Sequence, residues 1–345
     1  MRVDWTEEQE FLREAVAGVV AREAQFTTVR AWAEGGDLAP ADALAARQGW
    51  TGIGLDEDVG GQGGGTLELA VLAEQLGRGA VPWDLTLAAL LAAPVLAHAG
   101  AVDLAASTAE GEEIAILAVD GRAPIAARSS VDGSLRHVVG APGAHTFVIP
   151  VARGDAVELF AIAASGVTLT PRTLVDRTRS LADIEIRGEA RSVGTVPAAV
   201  LDAAASAAAV LVAADALGAA TRLLEETTKY VGERKQFGVA VGSFQAVKHA
   251  AAEMLVDVEA ARSAVMHGAW AVGAGEPDAA LHASIAKAVA CAAAVRVADK
   301  ALFLHGAVGY TWEHDLQFPF KRIKSDALLF GSPDTHLDRL ADALL

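Results

Sequence analysis

Apolar residues recur at spacings of three and four through the first third of the chain. Thr6 precedes an acidic turn and the first of these runs, and therefore predicts the capped start of an amphipathic helix. Residues 1–111 are predicted to form an all-helical domain. Its further helices are predicted over residues 40–48, 66–77 and 84–99, with a shorter one near Val102.

From residue 112 the pattern changes to short β-rich runs separated by Gly, Asp and Pro turns. Residues 112–196 are predicted to form a small antiparallel β-barrel or sandwich. The last run alternates polar with apolar positions, as a strand with one solvated face does. The runs cover residues 114–119, 146–151, 157–162, 167–170 and 183–187.

Helical spacing returns at Pro197 and continues to residue 345. Long helices with a buried apolar seam are typical of antiparallel bundles, so residues 197–345 are predicted to form a four-helix bundle. The predicted fold class is therefore mainly α with a β middle domain. The long helices are predicted over residues 201–231, from Ala246 onward and over 278–304, followed by a basic helix and a short terminal helix within 316–345.

The acidic balance of the chain limits its partners. A net charge of −16 argues against non-specific binding to nucleic acid or to an anionic membrane, because the average surface would repel both. A polyanionic ligand would need a local basic patch. Arg234 and Lys235 form one candidate patch, and residues 321–324 form a second that could meet CoA phosphates or be a solvated helix face.

Three features predict a cytoplasmic protein. Cys291 is the one cysteine, so no intrachain disulfide can form, and its alanine-rich surroundings predict a small buried hydrophobe. The N-terminus lacks the charged and apolar regions of a secretory signal. The most apolar windows, residues 85–97 and 203–220, are short or alanine-rich and do not indicate a strong membrane span.

Metal and phosphate-loop motifs are not found in the sequence. His249 and His305 lie singly on mostly apolar faces, and no spacing of His, Cys and carboxylates suggests a metal site. The glycine-rich residues 60–65 lack the preceding strand, the lysine and the hydroxyl of a nucleotide-binding loop, which favours a plain connection between helices.

One segment stands out in the second half. Residues 230–238 end a helix on two adjacent cations and turn through two glycines, and residues 239–249 open the next helix. Ser243 is the predicted N-cap of that second helix. The segment predicts a helix-turn-helix with a basic tip in an otherwise acidic protein.

These motifs resemble those of the acyl-CoA dehydrogenase family, over nearly the whole chain. The segment Arg234-Lys235-Gln236-Phe237-Gly238 with Phe244-Gln245 resembles the family's most specific pattern. Residues 60–63 with 74–78 resemble its N-terminal glycine and E.lGR pattern, and residues 305–311 resemble its HGG turn. The resemblance implies the helical, β and helical domain order already predicted.

Members of the family remove a proton from the α carbon of an acyl-CoA thioester and pass hydride from the β carbon to FAD. This chemistry requires a carboxylate base in a dry pocket and hydrogen bonds to the thioester carbonyl. The resemblance implies that Arg234 pairs with the pyrophosphate, and Phe237 packs at the adenine end, of an FAD seated mainly in the adjacent subunit. The other cofactor-binding residues that it implies are Gln236, Phe244, Gln245, Gly306, Ser332 and Asp334.

Two of these assignments have plain structural alternatives. Arg234 could complement the C-terminus of its own helix. Asp334 could cap the last helix instead of contacting flavin. Glu313, in the ionisable cluster that follows the HGG-like turn, is expected to be a structural acid.

The chain departs from the family where the base and the flavin ring are expected. Phe330 occupies the usual position of the catalytic glutamate, and Ala208 lies near the alternative position. Residues 118–124 replace the segment that holds the flavin ring and the thioester. Phe303 replaces an expected glutamine. No catalytic residue is therefore assigned to this chain.

This asymmetry resembles the small subunit of heteromeric, α2β2 acyl-CoA dehydrogenases of steroid side-chain degradation, in which one subunit supplies the base and the other completes the FAD site. The implied partners are a second subunit of the family, or a second copy, and an acyl-CoA. Two alternatives remain open: a self-sufficient flavoenzyme that uses Asp120, Glu313, Asp334 or no base, and a flavin-free structural paralogue.

Overall fold

The structure is a computed structural model, which describes residues 5–345. The N-terminal part is helical, as predicted. Thr6 accepts a hydrogen bond from the Gln9 backbone at 3.2 Å, and the Gln9 side chain accepts one from the Thr6 N–H at 3.0 Å, so the predicted cap is a full capping box. The helices are α1 (Glu7–Glu23), α2 (Phe26–Gly35), α3 (Ala39–Arg47), α4 (Thr66–Gly79), α5 (Asp84–His98) and α6 (Val102–Glu110).

Helix α2 was not predicted from the sequence. It begins after Gln25 without a side-chain cap, and within it only Val29 and Ala33 are buried, so its apolar face is too narrow to give a clear pattern. The glycine-rich residues 60–65 form a connection between a short 3₁₀ turn and α4, as expected. The expectation about a secretory signal falls partly on residues 1–4, which lie outside the described residues.

The middle part contains two small sheets. A four-stranded sheet has the order β1-β3-β4-β7 and a three-stranded sheet the order β2-β6-β5. Strand β1 pairs with β3 in parallel, so the fully antiparallel arrangement predicted for this part was wrong at that one pair. The strands are β1 (Ala115–Leu117), β2 (Gly133–Val139), β3 (Thr146–Arg153), β4 (Ala156–Ala163), β5 (Val167–Pro171), β6 (Leu181–Ile186) and β7 (Arg191–Pro197).

The C-terminal part is a helical bundle closed by two shorter helices. Helices α7 and α9 pack side by side with α8, while α10 and α11 lie against them. The mainly α fold with a β middle domain is confirmed. The elements are α7 (Ala198–Glu233), β8 (Lys235–Gln236), β9 (Val239–Ala240), α8 (Gln245–Gly273), α9 (Ala279–His305), α10 (Gln317–Asp326) and α11 (Pro333–Leu344).

Two of these helices are long and apolar enough to cross a membrane, by length and composition alone. They are Ala198–Glu233 and Ala279–Tyr310, in which 78% and 56% of the most apolar window is buried inside the fold. A core helix of a bundle passes the same test, because its apolar faces pack against its neighbours. In this fold both segments belong to the bundle core.

The predicted basic patch at residues 321–324 is not a patch, because Arg322 is completely buried. Its guanidinium lies 3.1 Å from a carboxylate oxygen of Asp215 and 3.3 Å from one of Asp176. It also donates to the backbone oxygens of Ala80 and Val81, at 3.0 and 2.8 Å. Arg322 therefore ties α10 to α7, to the β domain and to the end of α4.

Arg179 is the second cation of this buried cluster. It contacts Asp84 and Asp215 at 2.5 Å each, and also Asp326. Burial raises the pKa of Asp326 well above its usual range. Burial acts on Asp215 in the same direction, but Arg322 and Arg179 hold the pKa of that carboxyl below its ordinary value. The junction of the three parts of the chain is thus a dehydrated ionic network.

Candidate cofactor and interface site

The segment between α7 and α8 forms an exposed β-hairpin, which the sequence did not predict. Strands β8 and β9 are joined by Phe237 and Gly238, whose φ angles are 51° and 82°. Two central residues with positive φ are the mark of a tight hairpin turn that matches strand twist. A phenylalanine seldom adopts this conformation, and here it is 91% exposed. The hairpin therefore holds an aromatic ring out in solvent.

Arg234 stands at the base of this hairpin. Its N–H donates to the backbone oxygen of Tyr230 at 2.8 Å, closing the last turn of α7. The side chain is exposed and makes no hydrogen bond or ion pair with any of residues 5–345. An unpaired guanidinium at this place is free to bind an external anion.

Four other residues assigned to the cofactor lie on the same exposed end. The Phe237 and Phe244 rings are 6.3 Å apart in an edge-to-face arrangement. Gln236 donates to its neighbour's backbone oxygen at 2.9 Å, and Gln245 contacts His249 at 2.8 Å. These amides are exposed, so neither is committed to a buried partner. The structure thus brings the five predicted residues of this segment together.

The predicted N-cap Ser243 was wrong. Its hydroxyl donates to the Ala240 backbone oxygen at 2.6 Å, inside the turn that precedes the helix. The residue at the N-cap position of α8 is Phe244, which provides no side-chain hydrogen bond. The local turn competes successfully for the serine hydroxyl.

Gly306 lies near the same end of the bundle. It follows the last residue of α9 with φ of 61°, a conformation that favours glycine. The preceding His305 stacks on Tyr230, one turn before Arg234, with ring centroids 4.4 Å apart. Burial lowers the pKa of His305. The HGG-like turn therefore lies beside the last turns of α7, which lead into the hairpin.

Ser332 and Asp334 lie elsewhere. Ser332 caps α11 by accepting the Thr335 N–H at 3.2 Å, so the expectation that Asp334 is the cap was wrong. Asp334 is exposed in the first turn of that helix. Helix α11 is anchored to Ser284, near the start of α9, whereas Gly306 follows its end. At 1.5 Å per residue, the two groups are about 30 Å apart.

The Phe330 side chain is buried. The residue is 3% exposed and has a φ of 51°. Its N–H donates to the Gly121 backbone oxygen at 2.8 Å. Gly121 belongs to residues 118–124, which the resemblance aligns with the family's flavin-ring segment. The expected base position and this segment are therefore hydrogen-bonded to each other, and a cavity of about 260 Å³ remains beside them.

None of the other candidate acids lies in a dry pocket. Asp120 is 45% exposed, 3.6 Å from the Nδ1 atom of His137. Glu313 and Asp334 are exposed. Ala208, near the alternative base position, is completely buried and offers no ionisable group. A general base that requires burial to raise its pKa is not provided by these positions.

His336, which sequence reasoning did not single out, fixes the Phe330 turn. Its Nε2 atom lies 3.0 Å from the Phe330 backbone oxygen and its Nδ1 atom 3.1 Å from the Ser284 hydroxyl. A carbonyl oxygen can only accept, so Nε2 carries the proton and Nδ1 accepts from the serine. Burial lowers the pKa of His336 to about 4.

The lowered pKa of His336 predicts that the protein loses free energy of unfolding in acid. The unfolded chain binds the His336 proton near pH 6.5 and the folded chain only near pH 4, so the free energy of unfolding falls as pH drops between these values. We expect wild type to lose about 2–3 kcal/mol more than His336→Gln over this window. Urea unfolding at several pH values measures the difference. His98→Gln, at an exposed histidine, is the control; equal slopes in wild type and His336→Gln would contradict the assignment.

The fold and the exposed hairpin together define the class of protein. Residues 6–106 match the family model described as "Acyl-CoA dehydrogenase, N-terminal domain", and residues 199–345 match the one described as "Acyl-CoA dehydrogenase, C-terminal domain". The chain belongs to the acyl-CoA dehydrogenase family.

The similar proteins include one that is described as a steroid ACAD. The acyl-CoA dehydrogenase IpdE2 of Mycolicibacterium smegmatis is 34% identical over 97% of this chain and 98% of its own length. The ChsE4-ChsE5 complex from Mycobacterium tuberculosis contains a chain with a TM-score of 0.85 and 26% identity, covering 100% of this chain and 99% of that one. A variant of the Tcur3481-Tcur3483 steroid ACAD has the same TM-score and identity, with 97% of each chain covered.

FAD is the cofactor of this family. The two parts of the expected site, the hairpin and the segments around Phe330 and Gly121, differ in how well they fit FAD. The unpaired guanidinium of Arg234 and the exposed rings of Phe237 and Phe244 fit a pyrophosphate and an adenine presented from outside the chain. The backbone bond between Phe330 and Gly121 does not fit a flavin ring inserted between their two segments.

Proposed function

We propose that this chain is the base-lacking subunit of a heteromeric acyl-CoA dehydrogenase. One observation supports the proposal: the Phe330 N–H donates to the Gly121 backbone oxygen at 2.8 Å and so joins the two segments expected at the chain's own flavin ring, while the Arg234 side chain is exposed without a partner among residues 5–345. Groups that would serve a neighbour's cofactor are present, and groups that would serve the chain's own are lost.

In the proposed assembly, this chain binds and orients the cofactor, and it does not remove the proton from the substrate. When bound, FAD supplies the acceptor for hydride from the β carbon of the acyl thioester. Arg234 would neutralise the pyrophosphate, and Phe237 and Phe244 would shield the adenine from water. The partner subunit supplies the carboxylate base and the groups that stabilise the thioester oxygen.

The similar proteins support the choice of partner and substrate class. One similar structure is the ChsE4-ChsE5 complex, and another, named with the two components Tcur3481 and Tcur3483, is a steroid ACAD. We therefore propose a second family member as partner and a steroid-like acyl-CoA as substrate. Cys291 is buried and unpaired, in agreement with a reducing cytoplasm as the proposed location.

Flavin stoichiometry tests the proposal. The chain is purified alone and after co-expression with a second family member encoded in the same genome, and FAD is quantified by absorbance after denaturation. We expect a colourless, inactive chain alone, and one FAD per pair of unlike chains in an assembly that oxidises an acyl-CoA. One FAD per chain with turnover by the chain alone would support the self-sufficient alternative instead. A protein without flavin under every co-expression would support the structural paralogue.

A further inference from the structure

A cleft separate from the cofactor region lies between the N-terminal helices and the bundle. It has a volume of about 360 Å³, within the range of small-molecule sites. An apolar wall is supplied by Val20 of α1, Ala24 just after it and Phe26 of α2. Helices α4 and α7 supply a polar wall with Gln75, Arg78 and Arg222.

Gln75 is the least expected member of the polar wall. It is only 6% exposed, yet its carboxamide makes no hydrogen bond to any part of the chain that the structure describes. Buried amides are normally paired, and leaving one unpaired costs free energy. The carboxamide is not sealed from solvent and the side chain lines the cleft, so solvent or a molecule bound in the cleft can satisfy it.

Arg222 also has an unused donor. One of its terminal nitrogens lies 2.7 Å from Glu226, and its guanidinium lies over the Phe26 ring at 5.2 Å. Its other terminal nitrogen makes no hydrogen bond or ion pair among residues 5–345, whereas its Nε atom is buried and out of reach of a ligand. The ring and the ion pair hold the guanidinium in place and leave an N–H without an acceptor.

The hydrogen-bonding groups of the cleft that have no protein partner define the chemistry of its ligand. Arg78 uses one terminal nitrogen on Glu225, at 2.5 Å, and keeps its other N–H groups. With Arg222 and Gln75, the unused groups are mainly donors, so they require an acceptor. Each guanidinium already faces one carboxylate, which favours a singly charged anion over a multiply charged phosphate. The opposite wall favours an apolar body.

The cleft is distinct from the proposed cofactor site. Arg222 precedes Arg234 by twelve residues on α7, a distance of about 18 Å along the helix. We propose that this cleft binds a monocarboxylate with a compact apolar body, with the carboxylate at Gln75, Arg78 and Arg222, and the body against Val20 and Phe26.

Calorimetric titration of the full-length chain with sodium octanoate tests this site. We expect saturable binding at one site per chain, at least ten-fold weaker in Gln75→Leu and in Arg222→Met. Gln75→Leu keeps the side-chain size and removes the amide. Arg222→Met keeps the packing over Phe26. Arg13→Met, which removes an exposed cation of α1 outside the cleft, is the matched control and should leave binding unchanged.

Two comparison ligands test the two parts of the assignment. Octanamide keeps the apolar body without the charge, and inorganic phosphate keeps charge without the body; both should bind at least ten-fold more weakly than octanoate. Absence of octanoate binding, equal binding by either comparison ligand, or equal octanoate binding by wild type and Gln75→Leu would overturn the proposal.

Discussion

Replacing Arg234 with glutamine is expected to weaken FAD binding by the assembled enzyme about 10- to 100-fold. A hydrogen bond to a charged group contributes about 1.5–3 kcal/mol, and this guanidinium is exposed and has no partner within the described chain. The loss should therefore fall on the cofactor and not on folding. Fluorescence titration of the flavin-stripped assembly with FAD measures the dissociation constant.

Arg136→Gln is the matched control for this experiment. Arg136 is an exposed arginine of β2, in a different part of the molecule, and its replacement should leave FAD affinity unchanged. The unfolding midpoint of Arg234→Gln should also equal that of wild type. Unchanged FAD affinity in Arg234→Gln would mean that the guanidinium only complements its own helix.

Replacing Arg322 with glutamine is expected to reduce the free energy of unfolding by about 3–5 kcal/mol. Removing one partner of a buried ionic network leaves opposite charges uncompensated in a dry environment. Here, Asp215 and Asp176 would lose their contacts with a cation that is completely buried. Urea unfolding at neutral pH measures the loss.

Arg296→Gln provides the comparison at the surface. The Arg296 side chain is 54% exposed, so its ion pair with Asp257 should contribute less than about 1 kcal/mol to the free energy of unfolding. If Arg322→Gln does not fold, Asp176→Asn is the milder test, because it keeps the size of the side chain and weakens only part of the network. A loss for either buried variant no greater than that of Arg296→Gln would show that the network does not stabilise the junction.

The buried network marks the limit of reasoning from sequence. Arg322 was assigned to a basic surface patch because its neighbours along the chain, Lys321 and Lys324, are cations. Its actual partners come from α7, from the β domain and from the end of α4, between about 100 and 240 residues away. Periodicity and local charge describe near neighbours, so they cannot reveal a partner that only the tertiary fold supplies.

The grouping of the proposed cofactor residues was predictable where they are contiguous. Residues 234–245 form one motif that spans the hairpin and the start of α8, and the structure keeps them together. Ser332 and Asp334 were grouped with them by resemblance alone, and in a single chain the length of α9 separates them from Gly306. The sequence also gave no sign that the Phe330 N–H bonds to Gly121, because backbone pairing across domains has no residue signature.

The separation of the two groups of proposed cofactor residues along α9 also has a consequence for how the site evolves. If Arg234 serves a cofactor held by the unlike subunit proposed above, the functional unit is divided between two genes. A substitution in the hairpin is then compensated at a position in the other chain and not within its own. Selection would then act on the two genes as a pair. Transfer of only one of these genes to a related organism would transfer only half of the site.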